Sequence, residues 1–174
     1  MRYPVTSQLP LEGIRIIDST YVFALPYAAA LLADLGAEVI KIEGPSRHDV
    51  TRTGGYAGMF PEGKHGEDWW NRPSTYNLLH RGKKSVVLDL TDERGRDLFR
   101  ELVSISDVIM ENFTPRVMRS WGMDYPNLRK IKPDIVMVSN TGYGHGGGPY
   151  SGFPAQATTQ EGTHGHCWFT GYAG

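Results

Sequence analysis

The chain has 174 residues, 40% of them hydrophobic, with one cysteine and a formal net charge of −1. That length supports one compact domain with its own core, and basic residues spread along a near-neutral chain exclude the electrostatic footprint of a nucleic-acid or acidic-membrane binder. Cys167 has nothing within the chain to pair with, no apolar run approaches the roughly 20 residues that cross a bilayer, and MRYPVTSQLP lacks a secretory signal's apolar core. A cytoplasmic chain acting on small molecules or protein partners is therefore expected.

In chain order, GIRIIDST is a β-branched run that predicts a strand. LPYAAALLADLG predicts a helix with Pro26 in its first turn and Gly36 just past its end, and its alanines let it lie close to a sheet. AEVIKIEG is the next strand, and connections this short imply a right-handed parallel crossover. From Pro45 to Pro73 the pattern lapses into glycines, among them Gly54 and Gly55, interleaved with Tyr56, Phe60, Trp69 and Trp70. A loop of that length is usually functional.

KKSVVLDL restores a strand, read as buried, and TDERGRDLFRELVSIS a helix. Thr91 is its expected cap, Asp92 and Glu93 suit its positive end, and Leu98, Phe99, Leu102 and Ile105 form its expected buried stripe. DVIMENF is another strand, TPRVMRSWG and YPNLRKIKP are short helices, and DIVMVSNTG is a further strand. The order predicts a Rossmann-like, doubly wound α/β domain with a mostly parallel sheet over 11–174, preceded by an N-terminal arm over 1–10. The glycine- and aromatic-rich tail follows the last strand, where a ligand crevice is expected.

Several constellations carry possible chemistry. Glu111, Asn112 and Phe113 end a parallel strand just before a helix start at Thr114 and Pro115, an edge that holds anions and rings, or else an ordinary joint. Arg81, Lys83 and Lys84 flank a glycine before a strand and suit a phosphate, or are a solvated strand entry. Asp18 and Glu43 end the first two strands, where an acid often meets a ribose, yet DSTYVFALP lacks the glycines that a pyrophosphate needs. TGYGHGGGP offers free backbone N–H groups to an oxyanion or phosphate, or is a plain turn. His164, His166 and Cys167 match no standard zinc spacing, so no metal is expected, and nothing identifies a base for Cys167.

Taken in order, LEGIRIID, YAAALLADLGAEVIKIEGP, RGKKSVVLDL, DVIMENFTPRVMRSWGM, KPDIVMVSNTGYG and the closing Thr170-Gly171 resemble the class III CoA-transferase family. The resemblance runs from about Leu11 to the last residue. It implies a Rossmann-type large domain, here an N-terminal part without the family's small domain, from enzymes whose two subunits interlock. It implies transfer of coenzyme A from an acyl-CoA to a carboxylic acid through covalent intermediates on an enzyme carboxylate, without a prosthetic group. It also implies a coenzyme site at Tyr21 and Ala24, at Arg81 and Lys83, and at Asn112 and Phe113, with the helix that begins at Pro115 offering a favourable dipole end.

The chain departs from the family at several positions. Gly44 stands where an arginine is common, with Arg47 close enough to substitute, and Arg116 replaces a glycine. The family's nucleophilic aspartate falls on Gly174 and the racemase acid on Ala157, so the catalytic residue is unassigned. Glu161, the remaining carboxylate in the tail, is read as structural at a helix start. Two other readings stay open: a non-catalytic coenzyme-A-binding subunit paired with an active paralogue, and a nucleotide-binding module unrelated to coenzyme A.

Overall fold

A computed structural model describes residues 8–53 and 56–171. Most of the expected arm, together with Gly54, Gly55 and Gly174, lies outside them. Strands β1 (Arg15–Ser19), β2 (Glu38–Glu43), β3 (Lys84–Val87), β4 (Val108–Glu111) and β5 (Val136–Ser139) form one sheet in the order β3-β2-β1-β4-β5. Every neighbouring pair is parallel. The order reverses between β1 and β4, the switch point outside whose carboxyl ends a crevice forms in such folds.

The described α-helices are α1 (Ala24–Asp34), α2 (Ser74–His80), α3 (Glu93–Ser104), α4 (Pro115–Ser120), α5 (Tyr125–Ile131), α6 (Ala157–Thr163) and α7 (His166–Phe169), with short 3-10 turns at Val50–Arg52, Pro61–Gly63 and Trp69–Asn71. On one face Ile17, Ile42 and Ile109 meet Phe99 and Val103 of α3, Met118 of α4 and Leu128 of α5. On the other, Ile16, Val39 and Met110 meet Leu25 and Ala29 of α1. Alternate residues of β1, β2 and β4 thus serve opposite layers, as the pleat requires. Gly36 ends α1 at φ +103°, and a Cβ there would stand 2.5 Å from the Leu9 Cβ, so both conformation and space demand glycine.

The structure departs from sequence expectation in four local respects. β3 is an exposed edge strand rather than a buried one. The cap of α3 is Asp92, which accepts from the Arg94 N–H at 2.8 Å, because the Thr91 hydroxyl donates back to Asp89 at 2.6 Å. The buried stripe of α3 runs Gly95, Phe99, Val103, at four-residue spacing, and turns Leu98 and Ile105 to solvent. Glu161 sits exposed within α6 and not at its start.

Candidate functional site

The corner forms where β1 and β4 end side by side, with Ser19 level with Glu111. β1 runs into a tight turn, Thr20 to Phe23, before α1, and Val22 takes φ +23° there. A β-branched residue in that region is strained and needs support from its surroundings. Asn112 supplies it. Its Oδ1 accepts from the Tyr21 N–H at 2.9 Å, and its Nδ2 donates to the carbonyls of Tyr21 and, at 3.3 Å, Val22. The Asn112 amide therefore shapes the turn, and its hydrogen-bonding capacity is spent on backbone.

Phe113 donates its N–H to Glu111 Oε2 at 2.8 Å and turns its ring between Tyr21, 6.1 Å away, and Trp121, edge-on at 5.6 Å. Tyr21 is half-buried with the Lys41 ammonium 4.3 Å from its ring centroid, within cation–π range. Burial pushes its hydroxyl up; a Gly44 backbone N–H opposes this, the Asp49 and Glu43 charges add to it, and Arg47 lowers it. Arg47 is thus within electrostatic reach of the Tyr21 hydroxyl, and its guanidinium makes no hydrogen bond to a described residue. Ala24 opens α1 beside them, exposed and small enough for close approach. The structure brings together Tyr21, Ala24, Arg47, Asn112 and Phe113. α4 has only six residues and no side-chain cap at Thr114, so the dipole expected at Pro115 contributes little.

The basic pair expected to grip phosphate is engaged elsewhere. Lys83 is buried, donating to Asp18 Oδ2 at 2.6 Å and to the Pro26 carbonyl at 2.8 Å. Burial lowers its pKa while the Asp18 charge opposes that fall. Arg81 forks onto Asp34 Oδ2 at 2.6 and 3.0 Å. Asp34 ends α1, and the Arg81 guanidinium lies along that helix, also 5.5 Å from the Tyr27 ring centroid. Asp18 is likewise committed, and Glu43 is gripped by Arg52 at 2.7 and 3.0 Å with the Tyr76 hydroxyl at 3.1 Å. Burial would raise the Glu43 pKa, but the Arg52 hydrogen bonds and charge outweigh it and hold it below the usual range. Neither acid is free for a ribose.

Sequence reasoning missed Lys41, Asp49 and His80, which lie under the turn. The Lys41 ammonium donates to the Thr20 carbonyl and stands 3.4 Å from Asp49 Oδ2, with His80 Nε2 at 3.2 Å from the same oxygen. Both contacts to that oxygen are oblique for hydrogen bonds. Burial would raise the Asp49 carboxyl, but His80, Lys41 and Thr51 hold it well below the usual range. His80 is pushed down by burial and by the neighbouring Lys83 and Lys41, against the pull of Asp49, so it is neutral. The hint in the sequence is a lysine between two isoleucines of a strand with apolar alternation on both sides.

Two further features lie on this rim. A cleft of about 600 Å³ beyond β2 is walled by Pro45, His48, Trp69, Trp70 and Val87. Glu111 is fully buried with Oε1 unpaired, 3.8 Å from His145 Nε2 of the glycine loop, where Gly144 and Gly147 take φ near +75°. In the tail, His164 Nδ1 lies 2.8 Å from the Gln160 carbonyl, and Cys167 is exposed. Among the described residues no three His, Cys, Asp or Glu side chains converge as metal ligands do, and no helix is long and apolar enough to cross a membrane.

Residues 11–174 match the family model described as CoA-transferase family III. The chain is 37% identical over 170 residues to an acetyl-CoA:oxalate CoA-transferase of Acetobacter aceti, covering 97% of this chain and 40% of that protein. It is 37% identical over 166 residues to a succinyl-CoA–L-malate CoA-transferase beta subunit of Chloroflexus aurantiacus, covering 95% and 38%. A crystal structure of a CAIB/BAIF family protein from Brucella suis superposes with a TM-score of 0.77 at 35% identity, over 91% of this chain and 40% of that one. The chain therefore spans about two fifths of the length of the relatives it matches. With the family model matched over nearly its whole length, the chain belongs to CoA-transferase family III.

Proposed function

We propose that this chain is the N-terminal, coenzyme-A-binding part of a CoA-transferase that moves coenzyme A from an acyl-CoA donor to a carboxylic acid acceptor. The observation that carries the reading is the corner at the β1/β4 switch point, where Tyr21 and Phe113 present rings, Ala24 leaves room and Arg47 offers an uncommitted cation. Coenzyme A has matching parts: a purine for aromatic contact, phosphates for a guanidinium, and a slender arm for a close backbone approach. It is a substrate here and not a prosthetic group. Lys83 and Arg81, committed to Asp18 and Asp34, act on the fold and not on the ligand in this reading.

In the assembled enzyme an enzyme carboxylate attacks the thioester carbonyl. The C–S bond breaks, the electron pair leaves on the coenzyme A sulfur, and a mixed anhydride remains. That thiolate attacks the enzyme's own acyl carbon and expels the donor acid, giving an enzyme thioester. The acceptor carboxylate then repeats the two steps in reverse order and leaves as the new acyl-CoA. Backbone N–H groups of the glycine loop Gly144–Gly148 meet the oxyanion, and bound coenzyme A contributes the energy that positions the thioester. The enzyme acts in the cytoplasm as a homodimer or, as the subunit name of the Chloroflexus aurantiacus relative suggests, with a paralogous chain.

A second reading, a coenzyme-A-binding subunit that leaves chemistry to a partner, is favoured by relatives named as separate alpha and beta subunits. Calorimetric titration with coenzyme A, and with a nicotinamide dinucleotide as comparator, tests the binding claim common to both. Coenzyme A alone is expected to bind, about three- to tenfold more weakly to Phe113→Ala. Equal binding of the dinucleotide, or none of coenzyme A, overturns it. Mass analysis of a longer form incubated with acyl-CoA separates the two readings, since only the catalytic one gives a covalent adduct.

A further inference from the structure

Beneath the turn that carries Tyr21, six groups close a ring. Lys83 Nζ bonds Asp18 Oδ2 at 2.6 Å and lies 3.3 Å from His80 Nδ1. His80 Nε2 faces Asp49 Oδ2 at 3.2 Å, Lys41 Nζ stands 3.4 Å from that oxygen and donates to the Thr20 carbonyl, and the Thr20 N–H returns to Asp18 Oδ1 at 3.0 Å. An ammonium only donates, so His80 Nδ1 must accept from Lys83. That puts the imidazole proton on Nε2, the nitrogen that faces Asp49 obliquely. With His80 neutral, two lysines balance two aspartates, and the ring carries no net charge. Every side chain in it is at most 8% exposed as a residue or 1% as a side chain.

A ring of this kind is a costly way to hold a sheet together, because buried ion pairs gain little over apolar packing. Its geometry has a different yield. Its members come from β1, β2, the segment after β2, and the junction of α2 with β3, yet both lysines converge on the entry to one turn. Lys41 fixes the Thr20 carbonyl from below and lies under the Tyr21 ring; Lys83 fixes the carbonyl of Pro26 in the first turn of α1. Asn112 holds the same turn from the β4 side. The strained Val22 is thereby bracketed on both flanks.

We propose that His80 and Asp49 are positioning residues for the coenzyme corner, setting Tyr21 and the start of α1 through Lys41 and Lys83 without touching the ligand. This rests on the corner being the coenzyme A site. Losing either group frees one lysine to move, the turn samples other conformations, and affinity falls by the fraction of time the turn is competent. A turn formed about a tenth of the time binds about tenfold more weakly.

The test pairs amide hydrogen exchange with coenzyme A titration for His80→Gln and Asp49→Asn. In either folded variant, the Thr20 and Tyr21 amides are expected to exchange about tenfold faster relative to the Ile109 amide of β4, with coenzyme A binding weakened about tenfold. A variant that melts earlier but keeps parental exchange at Thr20 and Tyr21 and parental affinity overturns the proposal, since that is what a merely structural ring gives. If the parent chain fails to bind coenzyme A, the functional reading falls, while the exchange comparison still decides the ring. If neither variant folds, the parent decides: core-like exchange at Thr20 and Tyr21 supports the proposal, and exchange as fast as at Gly144 and Gly146 overturns it.

Discussion

The two faces of the sheet are built on opposite principles. Toward α3, α4 and α5 the strands present Ile17, Ile42 and Ile109 to a dry core of Phe99, Val103, Met118 and Leu128. Toward α1 and α2 the same strands begin apolar, with Ile16 and Val39, and end in Asp18, Lys41 and Glu43, all buried. The dry face is set by volume and periodicity, with one buried carboxylate, Glu111, where β4 ends. The wet face needs each charge to find its partner, and it does so beneath the rim that carries the proposed ligand corner. Stability is thus concentrated on one side of the sheet and the shaping of the site on the other.

The largest expected effect tests the dry side. Phe99 is fully buried, and Phe99→Ala is expected to cost about 3–5 kcal/mol in denaturant unfolding while leaving the affinity of the folded fraction for coenzyme A unchanged. A selective loss of affinity without that destabilisation erases the division between the faces. On the wet side, Lys41→Met leaves the buried Asp49 charge with only neutral His80 and the Thr51 hydrogen bonds and is expected to cost about 3 kcal/mol or more, whereas Lys41→Met with Asp49→Leu regains much of it. Additive losses in that double-mutant cycle deny the coupling.

A smaller effect is read with pH. His80 has a folded-state pKa below its ordinary value of 6.5, so the unfolded chain takes up the proton first as pH falls. Its contribution is fully present above about pH 6.5 and is lost as pH drops below it, at up to about 1.4 kcal/mol per pH unit, until the folded ring protonates too. Asp49 works in the same direction at lower pH: its depressed pKa stabilises the fold above the ordinary carboxylate range, and that is lost under acid. Unfolding curves from pH 7.5 to 5 are expected to show a slope that His80→Gln flattens. An unchanged slope in the variant shows that His80 is not the group responsible.

The strands were the most legible part of the sequence, because β-branched runs and short connections are local signals. The five strands, their parallel pairing and the helix with Pro26 in its first turn and Gly36 just past its end follow from them; the order of strands in the sheet does not. The stripe of α3 was less legible, since Leu98 and Ile105 are apolar yet face outward, while Gly95 is buried because a Cβ would meet the Asp89 carbonyl at 2.0 Å. The corner was legible as a place, Asn112 and Phe113 at a strand end, but not in its division of labour. That Asn112 spends its amide on the turn depends on Tyr21, 91 residues away. The pairings of Lys83 with Asp18 and of Arg81 with Asp34 were illegible for the same reason: the partners are 65 and 47 residues distant, and no local pattern announces them.

The central claim is tested most directly by titrating the isotope-labelled chain with coenzyme A and following its backbone amide resonances. The largest shifts are expected at Tyr21 to Ala24 and at Asn112 and Phe113, with smaller ones near Arg47. Shifts centred on Asp34 and Arg81, or none at saturating coenzyme, would contradict it.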